Sequence, residues 1–102
     1  MEHGILGNLM SLYVLKNKDN INMLGISVSK KYSKSSVARN RVKRLIKEAY
    51  RLNEDKIILG NHIIILWKNN TELENINYHS IESDLKKCMK KACIIQDNDV
   101  IQ

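Results

Sequence analysis

The sequence predicts an α/β (α+β) two-layer sandwich, in which helices pack on a small mixed sheet in the order β-β-α-β-α. Three short apolar runs with the composition of strands, and two longer stretches with apolar residues at steps of three and four, lead to this prediction. A chain of 102 residues suffices for one modest core, so we expect a single domain over residues 1–102. Residues 1–8 have no clear period, and no element is predicted there.

The first two predicted strands flank a polar turn. The first is the short apolar run Leu9–Leu15. The turn Lys16–Asn22 is rich in Asn and Asp, so we expect a hairpin. In the second strand, Met23–Ser29, apolar residues alternate with small residues such as Gly25 and Ser27. The small face admits either an extended ligand or a packed helix, and the pattern alone does not separate the two.

The stretch Val37–Arg51 is predicted to form a helix that runs to about Leu52 and has one apolar and one basic face. No Pro or Gly interrupts it, and Ser33 or Ser35 is a suitable N-cap. The residues predicted to face the core are Val42, Leu45, Ile46, Ala49 and Leu52. Nine of the 17 Lys and Arg residues, with Glu48 as the single acid among them, lie between Lys30 and Arg51: Lys30, Lys31, Lys34, Arg39, Arg41, Lys43, Arg44, Lys47 and Arg51. Like charges one helical turn apart repel each other, so this concentration indicates a polyanionic partner.

The second half of the chain adds one strand and one helix. His62–Lys68 is a nearly continuous β-branched apolar run, which is typical of a strand covered on both faces. We expect Trp67 to belong to the core. A polar turn leads to a helix predicted over Tyr78–Ile95, whose lysines we expect to be solvated, and residues 96–102 are expected to be a frayed tail.

The sequence contains no cluster of residues typical of a catalytic or metal site. The three His are isolated from one another, and we expect Cys88 and Cys93 to be reduced and structural. No pair of carboxylates and no phosphate-binding glycine loop is recognisable. No apolar run is long enough to span a membrane and no signal peptide is recognisable, so we expect a cytoplasmic protein with no membrane partner.

Two segments of the chain resemble the ribonuclease P protein family of bacteria. The first, GISVSKK, runs from Gly25 to Lys31, and the second, VARNRVKRLIKE, runs from Val37 to Glu48. The family pattern is an Arg-Asn-Arg tripeptide followed by x-Lys-Arg on one helix, after a strand that ends in a Ser-Val-Ser-Lys-Lys type sequence. Most of the chain can be aligned with the family, and Gly25–Arg51 is its specific part.

The resemblance implies a single RNA-binding domain within a ribonucleoprotein that removes the 5′ leader from precursor tRNA. In that family the RNA subunit carries the catalysis and its Mg²⁺ ions, so this chain would hold no catalytic residue, metal or cofactor of its own. Its partners would be the catalytic RNA and the 5′ leader. The resemblance also implies a left-handed β-α-β crossover, against the usual right-handed rule.

Arginine and lysine on one helix are suited to phosphate contacts, since a guanidinium binds two oxygens at once. The RNA contacts expected first are Arg39, Asn40, Arg41, Lys43 and Arg44, followed by Lys30, Lys31, Lys47 and Arg51. The resemblance places Tyr13 and Ser27 in the leader cleft. The ring of Tyr13 can stack on a base there, or it can be an ordinary half-buried strand residue.

One departure from the family concerns the N-terminus. The family usually begins with a basic segment and a helix bearing two Phe, which forms one wall of the leader cleft. Met1 falls about where that helix would end, and the chain has no Phe. A shortened N-terminus would expose Leu9, Met10 and part of the sheet, and we therefore expect lower stability or a dimer that covers this patch.

Two other functions fit a basic helix. An RNA-binding protein of another ribonucleoprotein, such as the ribosome, would use the same face without an enzymatic role. A DNA-binding regulator would place Val37–Arg51 in a major groove, but the preceding helix and turn of a helix-turn-helix are missing.

Overall fold

A computed structural model of the chain describes residues 3–69 and 73–95. In chain order its elements are β1 (His3–Leu6), β2 (Met10–Lys16), β3 (Met23–Ser27), α1 (Ser36–Leu52), β4 (Asn61–Trp67) and α2 (Tyr78–Lys91), with short 3₁₀ turns at Glu54–Lys56 and Leu73–Asn75. The four strands form one mixed sheet and the helices pack on it, which confirms the predicted α/β (α+β) class. The tail predicted at 96–102 lies outside the described residues.

The strands lie in the order β1-β2-β4-β3, so the predicted hairpin between β2 and β3 is wrong. β2 pairs antiparallel with β4. β3 and β4, which correspond to the predicted strands Met23–Ser29 and His62–Lys68, pair parallel, as a β-α-β crossover between them requires. Asn and Asp favour a change of chain direction, but they do not specify which strands pair. The sequence predicts no strand at β1 because four residues are too few for a period to be recognised. The left-handed crossover through α1 stays a prediction.

Both helices pack against one face of the sheet and form a single core with it. The buried strand residues are Met10, Leu12, Ile63, Ile65 and Trp67, and the buried helix residues include Ala38, Val42, Ile46, Ala49, Ile81, Leu85, Cys88 and Met89. Trp67 is therefore a core residue, as predicted, and its indole N–H donates to the backbone oxygen of Asn69 at 3.0 Å.

The opposite face of the sheet is open, so the prediction that β4 is covered on both faces is wrong. Ile64 and Leu66 are 39% and 38% exposed there, and Leu6 of β1 is 65% exposed. A continuous apolar run does not reveal whether its second face meets another layer. The expected exposure of Met10 is also wrong, because Met10 is fully buried on the helix side and Leu9 is half-buried. The dimer stays a prediction, and this open face is the apolar surface available to it.

Helix α1 begins one residue before Val37 and ends at Leu52, as predicted. The Ser35 hydroxyl accepts the backbone N–H of Ala38 at 3.1 Å, so Ser35 is the N-cap. Leu45 and Leu52 are seven residues apart and point the same way, along the edge of the core face. Leu45 is half-buried, but Leu52 is 61% exposed and Tyr50 is buried instead. The prediction that Leu52 belongs to the core is therefore wrong.

Helix α2 ends at Lys91, four residues before the predicted end. Cys93 adopts a positive φ of 60°, which breaks the helical path, and Ile95 then pairs with Ile57 in an isolated antiparallel bridge. The predicted helix was too long because the apolar residues after the last lysines suggested further helical turns. They lead into this bridge instead.

Candidate nucleic-acid interface

Most of the cations predicted to bind RNA lie on the part of α1 that does not face the core. Exposed on the helix are Asn40, Arg44, Lys47 and Arg51, and half-buried beside them are Arg39, Arg41 and Lys43. Lys30 and Lys31 are exposed in the loop that joins β3 to α1. The structure thus gathers the nine predicted contacts on one helix and the loop before it.

Two of these arginines are held by backbone carbonyl groups. A terminal guanidinium nitrogen of Arg39 donates to the Ser33 oxygen at 2.7 Å, and that of Arg41 donates to the Leu73 oxygen at 3.0 Å. Each guanidinium has five N–H donors, so both side chains keep donors for a phosphate while their position is fixed. Arg39 thereby ties the loop to the helix, and Arg41 ties the helix to the 3₁₀ turn before α2.

The loop between β3 and α1 is ordered by Ser29. The Ser29 hydroxyl accepts the backbone N–H of Lys31 at 3.2 Å, and the Ser29 carbonyl accepts that of Tyr32 at 3.1 Å. The ammonium group of Lys31 lies 5.1 Å from the centre of the Tyr32 ring, within the range of a cation–π contact. The end of β3 therefore leads directly into a turn that presents Lys30 and Lys31.

The open face of the sheet carries the residues predicted for a leader cleft. Strand pairing aligns Gly4, Tyr13, Ile64 and Gly25 in one row across all four strands. The next row on the same face contains Leu6, Ser11, Leu66 and Ser27. β3 thus contributes only small residues at these two positions, and a Cβ added at Gly25 would meet no atom within 4 Å. Neither helix covers this part of β3, which removes the alternative of a packed helix.

Tyr13 lies on this open face and is half-buried. Its ring leans over β1, because a Cβ added at Gly4 would lie only 2.9 Å from the ring edge. The glycine at position 4 therefore makes room for the aromatic ring. One face of the sheet thus combines a half-exposed ring, two exposed aliphatic side chains of β4 and a path of small residues along β3.

The described residues offer no evident group for acid–base or metal chemistry. Residues 3–69 and 73–95 contain no cluster of three or more His, Cys, Asp or Glu that could hold a metal ion. Burial, and then the nearby Asp84 carboxylate, raise the pKa of Cys88 to about 11, so its thiol is protonated at neutral pH. Cys88 is structural, as predicted, whereas Cys93 is exposed. Within the same residues, no helix has the length and the hydropathy needed to cross a membrane.

Two features next to the predicted contacts were not predicted from the sequence. The first is the pair of exposed side chains Ile64 and Leu66 of β4 on the open face, whose alternation with buried residues is evident only once the partner strands are known. The second is a pocket beside α1 that includes Glu48 and Tyr78. The sequence feature that could have indicated this pocket is Glu48, the single acid among the basic residues.

The fold and its basic helix define a small α/β protein with a concentrated basic surface. A sequence model of the family described as Ribonuclease P matches residues 3–93. The chain therefore belongs to the ribonuclease P protein family. It is 51% identical over 86 residues to the ribonuclease P protein component of Clostridium botulinum (strain Loch Maree / Type A3), covering 84% of this chain and 76% of the relative. Its identity to the component of Clostridioides difficile (strain 630) is 42% over 84 residues, which is 81% of this chain and 71% of the relative.

Solved structures with the same name share the fold. The structure of the Staphylococcus aureus RNase P protein superposes with a TM-score of 0.80 at 28% identity, over 93% of this chain and 84% of that protein. The RNase P protein from Thermotoga maritima also gives a TM-score of 0.80, over 88% of this chain and 83% of that protein. Its identity of 23% supports the likeness of the fold alone.

Proposed function

We propose that this chain is the protein subunit of ribonuclease P, which assists a catalytic RNA in the endonucleolytic removal of the 5′ leader from precursor tRNA. The observation that carries the proposal is the family match over residues 3–93. A relative that is 51% identical bears the name ribonuclease P protein component. In this proposal, the RNA subunit performs the hydrolysis with its Mg²⁺ ions, and the protein binds and orients RNA in the cytoplasm.

The basic face of α1 docks on the RNA subunit. Arg39, Asn40, Arg41, Lys43 and Arg44 make the central contacts, and Lys30, Lys31, Lys47 and Arg51 extend them. Two facts support this assignment. The side chains of Arg39 and Arg41 are fixed before RNA arrives, which lowers the entropic cost of binding. Lys43 and Lys47 are like charges one helical turn apart, and phosphates relieve their repulsion.

The open face of the sheet binds the leader in an extended conformation. The small side chains of β3, Gly25 and Ser27, let a nucleotide chain approach the sheet closely. Tyr13 and the exposed Ile64 in the same row provide an aromatic and an aliphatic surface for a base. Lys30 and Lys31 follow the end of β3, so a strand of RNA along β3 has cations at the end of its path.

Reconstitution with a bacterial ribonuclease P RNA tests the function. Leader removal from precursor tRNA is measured at low Mg²⁺ with and without the protein, since bound cations reduce the need for free ones. We expect the protein to raise the cleavage rate well above that of the RNA alone. A rate that stays at the RNA-alone level contradicts the proposal.

Competition with other nucleic acids tests the two alternative functions. A ribosomal RNA fragment and a DNA duplex of matched length are titrated against the labelled ribonuclease P RNA. A subunit of ribonuclease P prefers its own RNA at physiological salt, where non-specific binding to phosphates weakens. Equal affinity for the ribosomal fragment would favour a protein of another ribonucleoprotein, and preference for DNA would favour a regulator.

A further inference from the structure

A pocket of about 480 Å³ lies at the start of α2. A smaller pocket beside the basic face has a more varied lining, with apolar, aromatic and charged side chains. This second pocket has a volume of about 320 Å³ and is lined by Arg44, Leu45, Glu48, Leu52 and Tyr78. We call it the Glu48 pocket. Its volume is at the lower end of the range for small-ligand sites, about 300–1,000 Å³, which suits a single flat ring system.

The walls of the Glu48 pocket are apolar and aromatic. Leu45 is half-buried, and Leu52 exposes 61% of its surface at the end of α1. Tyr78 is half-buried and donates its hydroxyl to a carboxylate oxygen of Glu82 at 3.3 Å, which fixes the ring. Burial, then the Glu82 carboxylate and finally that of Glu48 raise the pKa of Tyr78, so the phenol keeps its proton. These surfaces suit the face of a planar ring.

The rim of the pocket contains one acceptor and one cation. Glu48 is exposed, and no other described residue forms a hydrogen bond or an ion pair with its carboxylate. Arg44 lies one helical turn before it and is also exposed. A carboxylate repels phosphate, so the phosphate groups that Arg44 attracts do not enter the pocket itself. The group that enters must instead donate hydrogen bonds to Glu48.

We propose that the Glu48 pocket binds an unpaired guanine base of the RNA that docks on α1. This inference rests on the proposed function and names a base contact within it. Guanine has two adjacent donors on its Watson–Crick edge, N1–H and the N2 amino group, which match the two oxygens of a carboxylate. The other three bases lack such a pair, because each has only one donor group on that edge. Arg44 then contacts the phosphate beside the flipped base, and Leu52 and Tyr78 contact its ring.

The direction in which the RNA affinity changes after Glu48→Gln distinguishes this proposal from a purely electrostatic effect. Glu48→Gln removes a negative charge next to the basic face, which by itself strengthens binding to RNA. We expect the opposite, an affinity for the ribonuclease P RNA lower by about tenfold, because the variant cannot form the charge-assisted hydrogen bonds. Glu54→Gln is the matched control: it removes an exposed acid two residues after α1, outside the pocket, and is expected to leave the affinity unchanged or slightly higher.

Inosine identifies the base without altering the protein, since it is guanosine without the N2 amino group. Transcripts of the RNA subunit with inosine at random guanosine positions are sorted by binding to the wild-type protein and to Glu48→Gln. We expect one unpaired guanosine at which inosine weakens binding to the wild-type protein but not to Glu48→Gln.

Two outcomes overturn the inference while the proposed function stands. Either Glu48→Gln binds the RNA as tightly as Glu54→Gln, or no guanosine shows interference that depends on Glu48. If the wild-type protein itself fails to bind the RNA, the proposed function and this inference both fall. The thermal midpoints of the two variants are compared with that of the wild-type protein, so that unfolding is not mistaken for weaker binding by the folded protein.

Discussion

A single buried carboxylate joins the two ends of this small fold. Asp84 of α2 is only 4% exposed and accepts the backbone N–H groups of Asn8, Leu9 and Met10 at 2.8, 3.0 and 3.3 Å. Asn8 and Leu9 lie in the turn between β1 and β2, and Met10 is the first residue of β2. Gly7 permits the approach, because a Cβ there would lie 2.5 Å from an Asp84 oxygen. Asp84 therefore supplies a hydrogen-bond acceptor for three consecutive backbone N–H groups where the chain enters β2.

Asp84→Asn is expected to lower the free energy of unfolding by about 2–3 kcal/mol, because an amide turns N–H donors towards the backbone donors and removes the charge. Urea denaturation measures the change. Ser83→Ala, at the exposed neighbouring position, is the control and should stay within about 0.5 kcal/mol of the wild-type protein. A loss below about 0.5 kcal/mol for Asp84→Asn would show that water satisfies the turn equally well.

The two cysteines are expected to differ in reactivity. The thiolate is the form that reacts with iodoacetamide, and burial holds the pKa of Cys88 near 11 in the folded protein. At pH 8, mass spectrometry should therefore find Cys93 modified and Cys88 unmodified until urea unfolds the chain. The ordinary thiol pKa is 9.0, so above this pH the unfolded chain loses a proton that the folded chain keeps. Stability should consequently fall between pH 9 and about 11. Equal modification rates of Cys88 and Cys93 in the folded protein would contradict the predicted difference in reactivity.

Arg41 and Arg44 are expected to respond differently to truncation. Arg41→Ala removes the hydrogen bond to the Leu73 oxygen, so it should lower the free energy of unfolding by about 1 kcal/mol as well as weaken RNA binding. Arg44→Ala should weaken RNA binding alone, because its side chain is exposed. Thermal unfolding and RNA titration of both variants check the difference. An unchanged stability for Arg41→Ala would mean that its bond to Leu73 is replaced by water.

Helix α1 has a structural side and, opposite it, the side proposed to bind RNA. Its inner side is held by Val42, Ile46 and Ala49, all fully buried. The free energy that keeps the helix in place therefore comes from the core, and the outer side is free to carry charges that repel one another. Exposed cations on this outer side can be changed without unfolding the protein.

The double variant Arg44→Ala with Lys47→Ala tests the phosphate contacts of α1. The plot of log affinity against log salt concentration should become less steep by about 0.7–0.9 for each phosphate that the variant no longer neutralises. Lys87→Ala with Lys91→Ala removes two exposed lysines from α2 and is the control with the same net charge. If both double variants change the slope equally, the effect arises from total charge and α1 has no special role.

Local patterns predicted the helices and three of the four strands, because period and composition are properties of consecutive residues. The apolar positions of α1 and the cap at Ser35 follow from such patterns. Strand pairing does not, since the position of β4 between β2 and β3 depends on contacts between residues far apart in the chain. For the same reason, the basic face was predictable from one helix, whereas the open sheet face, which four strands share, was not. The Glu48 pocket was not predictable either, because it forms only where Tyr78 at the start of α2 lies beside α1.

The whole molecule has two separate surfaces, the basic face of α1 and the open face of the sheet. A change on one surface should leave binding at the other intact. Gly25 is the position best suited to show this, because a Cβ there meets no atom and β-branched residues favour strands.

Gly25→Val should therefore keep or raise the thermal midpoint, yet obstruct an RNA strand that passes along β3. In the holoenzyme, the ratio of affinities for precursor tRNA with and without its leader should fall, while the affinity of the protein for the RNA subunit stays the same. Ser83→Leu adds an aliphatic side chain to the exposed side of α2 and is the control. An unchanged ratio for Gly25→Val would remove β3 from the path of the leader.

The central place of β4 in the sheet also determines the order in which the protein takes shape during translation. β2, β3 and α1 leave the ribosome before residues 61–67, which pair with β2 on one side and with β3 on the other. A growing chain that stops before Asn61 already has every cation of α1, but its β3 has no neighbour to pair with. Such a fragment attracts RNA without the surface proposed for the leader. The last two-fifths of the chain, from Asn61 onward, are therefore needed before the sheet can form.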